Sequence, residues 1–335
     1  MTWMELSLDT TPEAVDWVCT LLATTSYVRE VRVRSSIASD GQRGGVEHCP
    51  LTEQPIDPAE ATPGWAFTIC FYLPYDLRVR ARVDAIEALL SPLQRTGIAT
   101  VLEVAIVSEQ PEYPVASIPL IHRIGERFVV LAPGVPYPSQ QSDEILLRLE
   151  ASLAFGSGLH PATAVSLQLL ERHVVPTMQV LDLGSGTGIL SVAIAKLGAQ
   201  VLALDNDLLA VQATQAAVEQ NQVEQQVTAR AGSLGCGSRL GHWLGGDILD
   251  QAPSVNVTQA FDLIMANILA RVHIALADDF KQALRQTHAQ GGVLITSGFT
   301  TDQEEAVDTA LSAAGFASLD REQCREWVAL AHRLT

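Results

Sequence analysis

Positive charge is scarce in this 335-residue chain: 21 lysines and arginines stand against 38 aspartates and glutamates, a formal net charge of −17. Phosphate backbones are bound by clustered Lys and Arg, so this deficit argues against a nucleic-acid binder and suits a basic partner. Lysine is nearly missing, with Lys196 and Lys281 alone beside nineteen arginines, a bias nothing in the sequence explains. No uninterrupted apolar run reaches the roughly 18 residues of a membrane span. The opening "MTWMELSLDTTPEA" lacks the basic and then apolar layout of a secretory signal, so a cytoplasmic protein without membrane contact is expected. The five cysteines (Cys19, Cys49, Cys70, Cys236 and Cys324) are odd in number and never spaced C-x-x-C. They suggest neither a disulfide framework nor a zinc site, and no metal is expected.

What is present is a chain that is 47% hydrophobic and 18% charged, long enough for about two ordinary domains. The first 110 residues read as a small α+β unit. Alternation from Trp3 to Leu8 suggests a strand, and Thr11 and Pro12 suit the N-cap and first position of a helix whose stripe is Ala14, Val15, Trp17, Val18, Leu21 and Leu22. "VREVRVRSS" alternates as a second strand, and residues 39 to 65 read as a long loop. "AFTICFYLP", "LRVRARVDAIEALLSPLQRTG" and "ATVLEVAIVSE" then read as strand, helix and strand, completing a split β-α-β, ferredoxin-like order. Residues 111 to 144 form a connector containing a short strand pair. From about 145 onward, buried strand runs alternate with helices, from "MQVLDLG" through "FDLIMANI" and "GGVLITSGF" to "EWVALAHRL". Such alternation argues for a mostly parallel sheet covered on both faces, with its last two strands antiparallel at one edge.

The chemistry concentrates first in "LDLGSGTGIL", where glycines at 184, 186 and 188 follow a buried strand and open a helix. Such a turn lets a ligand approach backbone that a Cβ would block. The dinucleotide fingerprint requires a third glycine where Ile189 stands, so the match to it is imperfect. Asp205, ending the next strand, can accept hydrogen bonds from a ribose diol. Asp182, just before the turn, is a poor neighbour for phosphate and a good one for an ammonium or sulfonium cation. A nucleoside with a cationic amino-acid tail and no phosphate, S-adenosylmethionine, fits this set best.

Two flanking stretches narrow the reading. "LAFGSGLHPATAVSLQLL" carries a glycine-rich loop into a helix opened by Pro161, with Ala164, Leu167, Leu169 and Leu170 on an apolar side. "DLIMANILA" ends a buried strand in Asn267, at the carboxyl edge where α/β proteins bind ligands. An isolated Asn there is more often the cap of the following helix.

Taken together, "FGSGLHPAT", "DLGSGTGIL", Asp205, "NILA" at 267–270 and "EWVAL" at 326–330 resemble the ribosomal protein L11 methyltransferase family (PrmA), and "WMELSLDTTPEAVD" is similar to its N-terminal domain. The resemblance implies a class I methyltransferase domain over residues 145–335, with a Rossmann-like, seven-stranded, mostly parallel sheet. It also implies an N-terminal ferredoxin-like domain over 1–110 for substrate recognition. S-adenosylmethionine would be the methyl donor. Thr163, Gly184 and Asp205 would contact it, with Asp182, Gly186, Phe155 and Gly156 nearby, and His160 and Pro161 would shape the loop. Asn267 would face the transferring methyl as the catalytic residue. The implied partner is ribosomal protein L11, methylated on lysine side chains and its N-terminal amine by a monomeric enzyme. Ser157, Leu159 and the connector "YPVASIPLIHRIGERF" depart from the family pattern, which bears on substrate docking more than on donor binding.

Three other readings remain open at this stage. A related protein-lysine or small-molecule amine methyltransferase keeps the chemistry and changes the acceptor. A ribosome assembly factor would bind the donor without catalysis. A NAD-dependent dehydrogenase is disfavoured by Ile189 and Asp182.

Overall fold

The computed structural model describes residues 2–23, 25, 27–28, 31–35, 67–95, 98–108, 121–131, 136–139, 141–149, 160–235, 237, 253–286 and 291–335. The expected loop at 39–65, Phe155, Gly156, Ser157, Leu159, Cys49 and Cys236 lie outside them. Cys19 and Cys70 are buried and Cys324 half-buried, none of the three in a disulfide.

The chain divides into two compact units. The first runs β1 (Trp3–Thr10), α1 (Pro12–Ala23), β2 (Val31–Ser35), β3 (Phe67–Pro74), α2 (Val79–Arg95) and β4 (Glu103–Val107). Its sheet is antiparallel in the order β2-β3-β1-β4. Alternation supplies its core: Leu6 and Leu8 of β1 and Ile69, Phe71 and Leu73 of β3 point to one face, where Val15, Val18 and Leu22 of α1 and Ile86 and Leu90 of α2 meet them. Thr11 does not cap α1 as the sequence suggested, because its buried hydroxyl has no hydrogen-bond partner. The amide such a cap would satisfy, that of Ala14, bonds to the carbonyl of Thr11 instead, at 3.1 Å.

The expected connector carries β5 (Ile121–Ile124) and β6 (Phe128–Leu131), which join β7 (Ile145–Arg148) in a three-stranded sheet. The boundary is interleaved: residues 123–129 and 138–149 group with the second unit. There Arg123 and Glu144, both buried, form an ion pair.

The second unit continues α3 (Pro161–His173), β8 (Gln179–Leu183), α4 (Ile189–Lys196), β9 (Gln200–Asp205), α5 (Leu208–Gln220), β10 (Val227–Ala231), β11 (Ser233–Leu234), β12 (Ser254–Val255), β13 (Leu263–Asn267), α6 (Ala270–Ala275), α7 (Ala277–Ala283), β14 (Val293–Thr300), α8 (Thr301–Ala314), β15 (Phe316–Cys324) and β16 (Trp327–Leu334). Its main sheet has seven strands in the order β10-β9-β8-β13-β14-β16-β15. The pairs from β10 to β14 are parallel; β16 is antiparallel to both its neighbours, inserted between β14 and β15. The chain winds outward from β8 through β10 on one side, then returns beside β8 with β13 and winds to the other. The switch point therefore lies at the carboxyl ends of β8 and β13, where open α/β sheets hold their ligands.

One expectation about α3 needs correction. A single apolar side was read from Ala164, Leu167, Leu169 and Leu170, yet every residue from Pro161 to Leu170 is buried. The helix packs against β14, β15 and β16. Its polar residues are accommodated locally, as where the Ser166 hydroxyl donates to the Ala162 carbonyl at 2.7 Å. Its last turn is tied to β15 by Arg172 with Glu322 and His173 with Asp320.

Candidate functional site

The turn after β8 places Gly184, Gly186 and Gly188 at φ of +79°, +55° and +83°, in the left-handed region. Gly184 is also sterically required, since a Cβ on it would lie 2.5 Å from Cγ2 of Ile268. The turn is fixed from below: the amides of Gly184 and Ser185 both donate to the Leu204 carbonyl, at 2.8 and 3.1 Å. Asp205, one residue on, receives the Gly186 amide on Oδ2 and the Asp207 amide on Oδ1, each at 3.0 Å. The carboxylate is thus locked in place beside the turn, and a carboxylate there is an acceptor suited to the hydroxyls of a diol.

Asp182 is fully buried. The Ser191 hydroxyl of α4 donates to its Oδ2, while Oδ1 has no hydrogen-bond partner. Burial pushes its carboxyl up to about 7, helped by the charge of Asp205 and opposed by the Ser191 hydrogen bond. The sequence reading set Asp182 beside the cationic end of a ligand; the structure encloses it beneath the turn, with an unmet acceptor that a positive charge would favour.

Asn267 ends β13, and the residues after it decide between its two readings. Helix α6 starts at Ala270 with Leu269 in the capping position and no side-chain cap, so Asn267 is not a helix cap. Its Nδ2 lies 3.5 Å from Oγ1 of Thr163, a fully buried residue in the first turn of α3. Its Oδ1 is buried without a hydrogen-bond partner. A buried amide oxygen left unpaired carries a desolvation cost of about 1–3 kcal/mol, which a ligand N–H can relieve. His160 is buried and held neutral, its pKa depressed to about 4 by desolvation, which removes it as a proton shuttle near neutral pH.

The fold therefore brings together Thr163, Asp182, Gly184, Gly186, Asp205 and Asn267, which are separated by as many as 104 residues in sequence. The carboxylate of Asp205 at the glycine turn and the orphaned oxygens of Asn267 and Asp182 fit a donor with a diol at one end and a cationic tail at the other. Sequence reasoning passed over Ser297, Gly298 and His273, which pack behind Asn267. The one available signal was the glycine interrupting the strand "VLITSGFT", since a glycine inside a strand marks a bulge or a close backbone approach. Among the described residues no group of histidine, cysteine, aspartate and glutamate is able to hold a metal ion.

A doubly wound sheet in this strand order, with a glycine turn, an acid ending the next strand and an amide at its switch point, defines a class I S-adenosylmethionine-dependent methyltransferase. Comparison with known proteins gives the family. Residues 117–335 match the model of the family described as ribosomal protein L11 methyltransferase (PrmA). Over 344 residues the chain is 40% identical to a ribosomal protein L11 methyltransferase of Chloroflexus aurantiacus, covering 99% of this chain and 98% of that one. A protein of the same name from Herpetosiphon aurantiacus is 35% identical over 337 residues, covering 99% of each. A crystal structure of a ribosomal protein L11 methylase from Lactobacillus delbrueckii subsp. bulgaricus superposes with a TM-score of 0.51 at 25% identity, covering 64% of this chain and 99% of that one. The chain belongs to the ribosomal protein L11 methyltransferase family, and it is a methyltransferase with S-adenosylmethionine as its methyl donor.

Proposed function

We propose that this enzyme methylates the lysine side chains and the N-terminal amine of ribosomal protein L11. When bound, the donor supplies an activated methyl on a sulfonium. The acceptor must present a lone pair, and lysine, with an unperturbed pKa of about 10.4, is protonated in water. A buried site disfavours the ammonium by desolvation. Asn267 Oδ1 is the observation that carries the reading: an uncharged, enclosed acceptor without a hydrogen-bond partner, which, turned toward the incoming amine, would take one of its N–H groups and aim its lone pair without stabilising the ammonium. His160 is held neutral, and the rate is attributed to proximity and alignment instead of a strong base. Asp205 holds the ribose, Thr163 and Gly184 line the rest of the donor, and Gly186 and Asp182 shape its bed. Phe155 and Gly156 are assigned to the same surface by resemblance.

Residues 1–110 are read as the part that grips the substrate and residues 111–144 as its connector. A chain of net charge −17 meeting a basic ribosomal protein is consistent with this, and the reaction is assigned to the cytoplasm, with the enzyme acting as a monomer without direct contact to nucleic acid. The test incubates the purified protein with ribosomal protein L11 and isotopically labelled donor, followed by intact-mass and peptide analysis. Label on lysine and N-terminal amines is expected. Transfer only to another protein or to small amines would replace the acceptor, and donor binding without transfer to any amine would make the chain an assembly factor.

A further inference from the structure

Behind Asn267 the sheet is irregular. The pairing of β14 with β16 is regular up to Thr296 and resumes at Phe299, which leaves Ser297 and Gly298 in a bulge. Bulges next to active sites commonly redirect a side chain. Here both ends of Ser297 are engaged. Its Cα is in parallel register with Asn267. Its carbonyl accepts the Ile268 amide at 3.0 Å and lies 2.9 Å from Nε2 of His273. A carbonyl cannot donate, so Nε2 carries the proton. Its hydroxyl donates to the Ala162 carbonyl at 3.1 Å and lies 3.3 Å from that of Val328. One residue thus touches the neighbours of both Asn267 and Thr163.

The rest of the bracket is tight. Ser297 and His273 are fully buried, and the His273 ring stands edge-on to Phe299 at 5.4 Å. Gly298 has φ +91°, and a Cβ on it would lie 2.5 Å from the Ile268 carbonyl oxygen and 2.9 Å from Oδ1 of Asn267. Asn267 is therefore backed by a surface shaped to its own amide. We propose that Ser297, with His273 on its carbonyl and Gly298 beside it, is the positioning residue that sets Asn267 against Thr163 for methyl transfer. This rests on the role given to Asn267 under the proposed function.

The experiment compares His273→Phe, which keeps a ring and loses the donor, with His273→Gln, which retains an uncharged N–H donor. Each is made alone and combined with Asn267→Ala. The positioning role predicts that His273→Phe lowers kcat by about 10- to 100-fold while leaving the acceptor KM and donor Kd nearly unchanged. Glutamine should restore most of the loss, and the phenylalanine change should add nothing in the Asn267→Ala background. Full activity in a folded His273→Phe variant, or losses that add in the double variant, would overturn it. A second readout needs no acceptor: the Asn267 carboxamide nitrogen resonances, assigned by their loss in Asn267→Ala, should shift in His273→Phe and return in His273→Gln. Unshifted resonances would equally sink the proposal. Inactivity of the wild-type enzyme on ribosomal protein L11 would instead count against the proposed function, with the resonances still deciding the positioning role.

Discussion

Asn267 and Asp182 each leave a buried oxygen unpaired at the same end of the sheet, and a small change at either reads out a different property. Replacing Asn267 by alanine removes the amide to which the proposed function gives the alignment of the acceptor, and on that proposal kcat should fall about 100-fold or more in steady-state assays, in line with the loss of one preorganised polar group. Asp182 is read through pH. Its folded-state pKa of about 7 lies above the ordinary value of 3.8, so the folded protein binds this proton more tightly than the unfolded chain. Its contribution is fully present below about pH 4 and is lost as pH rises through about 7. Denaturant titrations across that window should show stability falling with rising pH, and Asp182→Asn should flatten that part of the curve. An unchanged slope in the variant would mean that the carboxyl is already ionised in the folded protein.

At the scale of elements, the β8 turn and the anchoring of β7 are the informative joints. Gly184→Ala would place a Cβ 2.5 Å from Ile268 in a left-handed conformation, so it should destabilise the fold by about 1–3 kcal/mol and weaken donor binding at least tenfold by calorimetry. Asn221, at the carboxyl end of α5, binds β7 as another strand would. Its Oδ1 accepts the Arg148 amide at 2.9 Å, and its Nδ2 donates to the Arg148 carbonyl at 2.7 Å and to the Ala217 carbonyl at 2.8 Å. Asn221→Ala should lower stability by about 1–3 kcal/mol, seen as an earlier urea midpoint with an unchanged slope. Most elements were legible because their patterns are local: alternation marked β1 and β2, and apolar runs marked β8, β9, β13 and β14. Burial of α3 on all sides was not legible, because Ser166 and Gln168 look solvent-facing until a sheet is laid against them.

For the whole molecule, charge is the readable property. A net charge of −17 should speed encounter with a basic acceptor at low ionic strength and do little for donor binding. The acceptor kcat/KM should therefore drop as salt rises past about 0.15 M, where exposed charges are screened beyond about 8 Å, while donor Kd holds steady. Equal salt sensitivity of both would argue against electrostatic steering. The connector also changes character at this scale. Read as a connection with a short strand pair, it does carry β5 and β6, but these join β7 in a three-stranded sheet, and its segments are shared between the two units. Short apolar stretches such as "FVVL" do not announce which distant strand they will pair with.

By itself the sequence determined the class of chemistry. The left-handed glycine turn, the acid ending the following strand and the amide at 267 are local patterns, each tied to a strand end by residues beside it. What only the tertiary structure decided was the company those groups keep. The sheet order brings Thr163 to Asn267, the start at Ala270 frees Asn267 from capping, and burial gives Asp182 its raised pKa. The bulge at Ser297 and Gly298 belongs to the same category, because its meaning lies in a partner strand and a helix outside the stretch itself. Hydrogen bonds between residues 24 to 135 positions apart leave no period in a sequence, and here they set the geometry of the site.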